Sequence, residues 1–334
     1  MPEKVGVAVV GVGFVGGAAH VPSFKKIEGS NLIALCARTE TRVKPLAEKY
    51  EVKYVLDYDK LLDDPKLDAV VLSVPTPLHF DSAMKALRKG KHVLCEMPIA
   101  PRIEQVRELQ RVADKAGVIL MPVLNFRFAP IYLKIKEMIK AGAIGKPIAI
   151  HFREFIPTKG LAEQWPVGSW AWDIEKSGGY PDFTLSVWSL DMFRWMFESE
   201  IRDVEWMVNY PPIAMYGGIF GYNTMGVIKF ANGIVGSLHY GASATPSAAI
   251  SRLEVYGDNT NVLHAINVDK ILLYGDQEKP QEFTVEVKGT KVWGHRQLDE
   301  HFIDCILNKK KPQVTAEDGI KAQEIAQKIV EHIK

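Results

Sequence analysis

The sequence predicts an α/β fold with a parallel N-terminal sheet, followed by a C-terminal α+β domain with an open, largely antiparallel sheet. Three observations lead there. Near-continuous apolar runs alternate with helix-length segments over the first third of the chain, as in βαβ units whose strands are buried on both faces. A glycine-rich loop, Gly11-Val12-Gly13-Phe14-Val15-Gly16, follows the first apolar run, Val5 to Val10. Beyond Val204 the pattern changes to short alternating runs separated by Asn232-Gly233, Gly257-Asp258-Asn259 and Gly275-Asp276. Asn-Gly between apolar runs is a hairpin signal. At 334 residues two domains are the default, expected at 1–124 and 125–334.

Composition narrows the function classes. Lys plus Arg number 41 against 40 Asp plus Glu, a net charge of +1, so nothing argues for a nucleic-acid or membrane partner. The run Lys309-Lys310-Lys311 reads as a solvated loop. No apolar stretch approaches the roughly 18 residues of a spanning helix. No signal-peptide pattern precedes the first strand. Cys36, Cys95 and Cys305 form neither a C-x-x-C pair nor a disulfide framework. A cytoplasmic protein is the expectation. No His/Cys/Asp/Glu set has the spacing of a metal site.

In order, each element has its reason. Val5 to Val10 reads as a buried strand, and the glycine loop after it matches G-x-G-x-x-G. Gly11 permits the turn, Gly13 the close approach of a pyrophosphate, and Gly16 tight packing of helix on strand. The pyrophosphate would lie on the helix N-terminus, beside Phe14 and Val15. The second strand, Asn31 to Cys36, ends where this fold reads the adenosine ribose. An NAD site usually has a carboxylate there. Here stand Ala37-Arg38-Thr39, with Arg42 a turn later. A guanidinium suits a phosphate, which points to NADP rather than NAD. Asp68 to Val74 forms a strand ending in Pro75-Thr76-Pro77-Leu78-His79, at the edge where such sheets bind ligands. A helix from Asp81 to Lys89, a strand from Lys91 to Cys95, a helix from Ile103 to Ala116 and a strand from Val118 to Val123 follow. Near Asn125 the rhythm changes: a helix from Ile131 to Ala141, a strand from Ile148 to Phe155, and a loop rich in tryptophan (Trp165, Trp170, Trp172). The strands after Val204 imply one antiparallel sheet. Helices near His295 to Leu307 and Ala316 to His332 close the chain, and these last helices are free to pack back on the first domain.

This pattern resembles the glucose–fructose oxidoreductase / inositol dehydrogenase (Gfo/Idh/MocA) family over most of the chain. The anchors are the glycine loop, Val74-Pro75-Thr76 with His79, and Gly90-Lys91-His92-Val93-Leu94-Cys95-Glu96-Met97-Pro98. Asn125-Phe126-Arg127-Phe128, Gly142 to Pro147, and Gly178-Gly179 followed by Asp191 to Trp195 complete the set. The resemblance implies a Rossmann domain plus an α/β domain whose open sheet makes homodimers or homotetramers. It implies NADP contacts at Gly11, Gly13, Phe14, Val15, Gly16, Arg38, Thr39, Arg42, Val74, Pro75, Thr76, His79, Glu96, Met97 and Asn125. Substrate contacts are expected at Arg127, Trp165, Trp170, Trp172 and Trp188.

The resemblance breaks at the proton-handling residues. The family usually has Glu-Lys-Pro where this chain has Glu96-Met97-Pro98, and a thioether neither donates nor carries charge. The family's Asp and His positions fall on Thr184 and Trp188, its third glycine on Tyr180, and an arginine on Ala171. Three readings follow. Other groups handle the proton, with Asp182 and Tyr180 first and Lys159, Lys176 and His239 behind them. Alternatively the substrate is a C=N or conjugated acceptor that needs no positioned acid, and biliverdin reductase in this superfamily also departs from the lysine motif. Or the chain binds NADP without turnover, as regulators in this superfamily do. The first expectation is an oxidoreductase moving a hydride to or from a sugar, cyclitol or related small polar molecule.

Overall fold

The computed structural model describes residues 4–213, 219–287 and 293–332. Two compact units divide the chain: 1–125 with 294–321, and 126–293 with 322–334.

The first unit is a parallel six-stranded sheet in the order β3-β2-β1-β4-β5-β6. Its strands are β1 (Val5–Val10), β2 (Ser30–Cys36), β3 (Lys53–Val55), β4 (Ala69–Leu72), β5 (His92–Cys95) and β6 (Leu120–Pro122). The helices are α1 (Val21–Lys26), α2 (Glu40–Tyr50), α3 (Tyr58–Leu62), α4 (His79–Arg88) and α5 (Ile103–Ala116). Every residue of β1 and β4 is buried, as parallel strands covered on both faces require. α5 shows how the pattern makes the helix. Val106, Leu109 and Ala113 recur along one face and are buried, and Gly117 ends the helix at φ 66°, the left-handed cap glycine favours. Strand order reverses between β1 and β4, and the carboxyl ends there are where open α/β sheets take ligands.

The second unit opens with α6 (Pro130–Lys140) and β7 (Pro147–Pro157), then α7 (Thr158–Gln164), α8 (Ile174–Ser177) and α9 (Pro181–Met196). The remaining strands are β8 (Ile201–Asn209), β9 (Pro212–Ile213), β10 (Ile219–Phe220), β11 (Asn223–Phe230), β12 (Val235–Ala244), β13 (Ile250–Gly257), β14 (Val262–Ile266), β15 (Lys270–Tyr274) and β16 (Gln281–Thr284). Seven of them join β7 in an eight-stranded sheet ordered β16-β15-β14-β13-β7-β12-β11-β8. Its inner face carries Ile150, Phe152, Ile228, Leu238, Tyr240, Leu253 and Val255, all buried. α9 packs here, with Phe193 edge-on to Phe152 at 5.2 Å between centroids. α10 (His295–Asn308) lies in the first unit, and α11 (Ala316–Val330) begins there and ends in the second.

The sheet is largely antiparallel, as expected. One pair at its centre, β7 and β12, runs parallel. Between β7 and the next long strand, β8, the chain runs through three helices, long enough for a crossover connection. The Asn-Gly signal holds where it fell: Asn232-Gly233 joins β11 to β12, with Gly233 at φ 94°.

Candidate active site

The glycine loop leaves β1 at the carboxyl edge of the sheet. Gly11 has φ 91°, and a Cβ there would lie 2.3 Å from the Ser73 carbonyl oxygen. A Cβ on Gly16 would lie 2.0 Å from the Gly11 oxygen. These two glycines are demanded by packing. A Cβ on Gly13 would meet nothing within 4 Å, and Phe14 beside it is 60% exposed. Packing does not require a glycine at Gly13, so its bare backbone is available to a ligand. The helix start differs from the plain helix the motif suggests. Gly16–His20 forms a π-type turn before α1. Pro22 has no N–H to send to the Ala18 carbonyl, so the α-helical ladder is interrupted there.

At the end of β2, Arg38, Thr39 and Arg42 are exposed. Neither guanidinium has an ion partner among the described residues. Glu40, the first acid after the strand, accepts from the Tyr54 hydroxyl at 2.6 Å. At the β4 edge, Val74 and Pro75 are half-buried and Thr76 is buried. His79 is fully engaged. Its ring nitrogens lie 2.8 Å from the Pro98 and Val74 carbonyl oxygens, tying two loops together. Burial lowers its pKa, against the pull of those carbonyls.

Glu96 and Met97 are turned inward too. Met97 is 3% exposed, and a Cβ on Gly319 of α11 would touch its Cε at 3.4 Å. Glu96 Oε1 lies 3.0 Å from His20 Nε2, and His20 Nδ1 lies 2.9 Å from Asp299 on α10. Burial alone would neutralise His20, but the flanking Asp299 and Glu96 carboxylates raise its pKa to about 10. The imidazolium is the charged centre of a buried acid–base–acid tie. His295 packs edge-on to His20 at 5.7 Å and lies 3.5 Å from Asn125 Nδ2. Sequence reading did not find His20 or Asp299, because 279 positions separate them and no local signal pairs them.

In the second unit Asp182 is fully buried in the first turn of α9. Its Oδ2 accepts from the Thr224 hydroxyl at 2.5 Å and the Tyr210 hydroxyl at 2.9 Å. Burial raises its pKa in spite of those donors. Tyr180 is half-buried and edge-on to Tyr210 at 5.2 Å and to Trp172 at 5.7 Å. Asp182 and Tyr180 therefore join one cluster through Tyr210. Trp172 donates to the Trp165 carbonyl at 3.0 Å, and Trp165 stands edge-on to Trp170 at 6.3 Å. Thr184 is buried and Trp188 half-buried on α9. Arg127 grips Asp191 with two contacts, Nε to Oδ2 at 2.7 Å and Nη2 to Oδ1 at 2.5 Å, so its fork is spent inside the unit. Lys159 faces Glu163 and Lys176 pairs with Asp173, both on exposed helix surface. His239 stands edge-on to Phe155 at 4.7 Å, on the outer face of the sheet, opposite the face that holds Asp182.

Family models match both units. One, an oxidoreductase family with an NAD-binding Rossmann fold, covers residues 5–123, and its C-terminal alpha/beta partner covers 136–334. The chain belongs to the Gfo/Idh/MocA oxidoreductase family. Within Gfo/Idh/MocA, the uncharacterized oxidoreductase YrbE of Bacillus subtilis is 25% identical over 346 residues, covering 98% of this chain and 93% of YrbE. The scyllo-inositol 2-dehydrogenase (NAD(+)) of the same organism is 25% identical over 324 residues, 96% and 91% of the two chains. A biliverdin reductase from Synechocystis sp. PCC 6803, solved with biliverdin and NADP+, shares the fold with a TM-score of 0.80 at 21% identity over 98% of each chain. The protein is thus an NAD(P)-dependent oxidoreductase with a Rossmann nucleotide domain. Among the described residues no helix is long and apolar enough to cross a membrane, and no group of three His, Cys, Asp or Glu could hold a metal ion.

Proposed function

We propose that this chain is an NADP-preferring oxidoreductase that moves a hydride to or from a sugar, cyclitol or related small polar molecule. The observation that carries the cofactor choice is the end of β2. Arg38 and Arg42 stand exposed without ion partners among the described residues, while Glu40 is occupied by Tyr54. A 2′-phosphate supplies the missing anion there, with the Thr39 hydroxyl beside it. The open backbone at Gly13 fits the pyrophosphate, flanked by Phe14 and Val15. Val74, Pro75, Thr76 and Asn125 line the same edge, and His79 and Glu96 hold its loops in place. NADP, when bound, supplies or accepts the hydride.

On the substrate side, Tyr180 is the reachable hydroxyl of its cluster, and Asp182 acts behind it by fixing Tyr210. The tryptophans at 165, 170 and 172, with Trp188, offer flat apolar faces on which a sugar or cyclitol ring can stack. They equally suit a conjugated or C=N acceptor, the second reading.

Fluorescence titration with NADPH and NADH tests the cofactor assignment. Arg38→Ala is expected to weaken NADPH about 10-fold or more, the loss of a charge-assisted hydrogen bond, and to leave NADH unchanged. Equal affinity of the wild type for both cofactors overturns it. A panel of ketoses, ketocyclitols and imines, followed by loss of reduced-nicotinamide absorbance, tests the reaction. Tight NADP binding with no turnover across the panel identifies a binder instead.

A further inference from the structure

A carboxylate stands among the cations at the end of β2. Glu40 is the first residue of α2. Arg38 lies two residues before it and Arg42 two after. Lys44 follows one helical turn on, at the i, i+4 spacing that pairs Glu with Lys on helix surfaces. Yet among the described residues none of these three cations forms an ion pair, with Glu40 or with any other acid. Glu40 Oε1 instead accepts from the hydroxyl of a neutral residue, Tyr54, at 2.6 Å.

The sheet of the first unit puts Tyr54 in reach. β3 is its edge strand, paired parallel with β2, and Tyr54 lies in register with Leu35. The Ala37 N–H continues that pairing onto the Val55 carbonyl at 3.3 Å. The segment that leads into Arg38 and Thr39 is therefore tied to the strand that carries Tyr54. Thr39 makes no capping bond to α2 with its side chain, so its hydroxyl is not spent on the helix. The bond to Glu40 raises the pKa of the Tyr54 phenol, which keeps it a donor.

We propose that Tyr54 sets the cofactor preference of this chain by holding the Glu40 carboxylate away from the cations at the end of β2. This rests on the NADP reading above. Tyr54 is a positioning residue: it acts through Glu40. With the phenol in place, Arg38, Arg42 and the Thr39 hydroxyl are left to a 2′-phosphate, whose charge is about −1.5 to −2. Without the hydroxyl, Glu40 is released to pair with Arg38, Arg42 or Lys44, and its negative charge opposes the phosphate. NADH carries no phosphate for that charge to repel. Its ribose hydroxyl instead meets a carboxylate of the kind an NAD site offers.

The test is Tyr54→Phe, which keeps the ring and removes only the hydroxyl. It is read by fluorescence titration at low ionic strength, where surface charges are least screened. NADPH affinity is expected to fall about 3–5-fold, the worth of an exposed ion pair, while NADH affinity is not weakened. Adding Glu40→Gln to Tyr54→Phe is expected to restore NADPH affinity, because the released side chain then carries no charge. A merely structural role for Tyr54 would not be rescued by removing a charge elsewhere. NADPH affinity within about 2-fold of wild type in Tyr54→Phe, or a loss that persists in the double variant, overturns the proposal. Equal affinity of the wild type for NADPH and NADH overturns the NADP reading instead.

Discussion

Gly13 and Gly16 belong to one motif and do opposite work. Gly16 is fixed by the fold, because a methyl group there would collide with the Gly11 carbonyl. Gly13 is open, so a methyl group there disturbs nothing in the protein. Gly16→Ala is therefore expected to lower unfolding stability by about 1–3 kcal/mol in urea, the range of overpacking. Gly13→Val should keep wild-type stability and lose NADPH affinity. Comparable loss of stability in both variants would refute this division. Single residues show how much of the site was legible. The glycine fingerprint could be read directly, since it depends on residue type at fixed spacing. The inward turn of Met97 could not, because its neighbour Gly319 comes from the far end of the chain.

Elements carry the next level of dependence. The Glu96–His20–Asp299 tie joins the turn after the glycine loop, the end of β5 and α10. His20 is raised from 6.5 to about 10 in the folded chain. Such a group binds its proton more tightly folded than unfolded. Its contribution is fully present below pH 6.5 and is lost as pH rises towards 10. Stability measured by urea unfolding should therefore fall across pH 7 to 10, and His20→Gln should flatten that slope. Asp299→Asn is expected to cost about 3–5 kcal/mol at neutral pH, since it leaves a buried cation half-paired. A slope unchanged in His20→Gln would show that other groups set it. At this scale the sequence located the strands and helices well, because period and turn chemistry are local. The parallel pairing of β7 with β12 was not legible. Strand direction in that sheet depends on where the chain re-enters after α7 to α9, and no local pattern records it.

At the scale of the whole molecule, the large sheet carries an apolar patch on its outer face. Met207 is 79% exposed and pairs across the strands with Met225, 53% exposed; Val227 and Val235 extend the patch. An exposed apolar surface of this kind marks an interaction site. We expect a homodimer or homotetramer joined through it. Met207→Glu with Met225→Glu should dissociate the assembly, as read by light scattering, with NADPH binding intact. A monomeric wild type would refute the expectation.

The position of Asp299 also sets a timetable. During synthesis His20 leaves the ribosome 279 residues before its partner on α10. At about 5–20 residues per second, roughly 15–55 s pass before that carboxylate exists. Until then the nascent nucleotide unit has only Glu96 to balance His20, and the three-membered tie cannot form. A chain stopped short of His295 should be a substrate for chaperones rather than a working half-enzyme, because the first unit needs α10 to complete the tie.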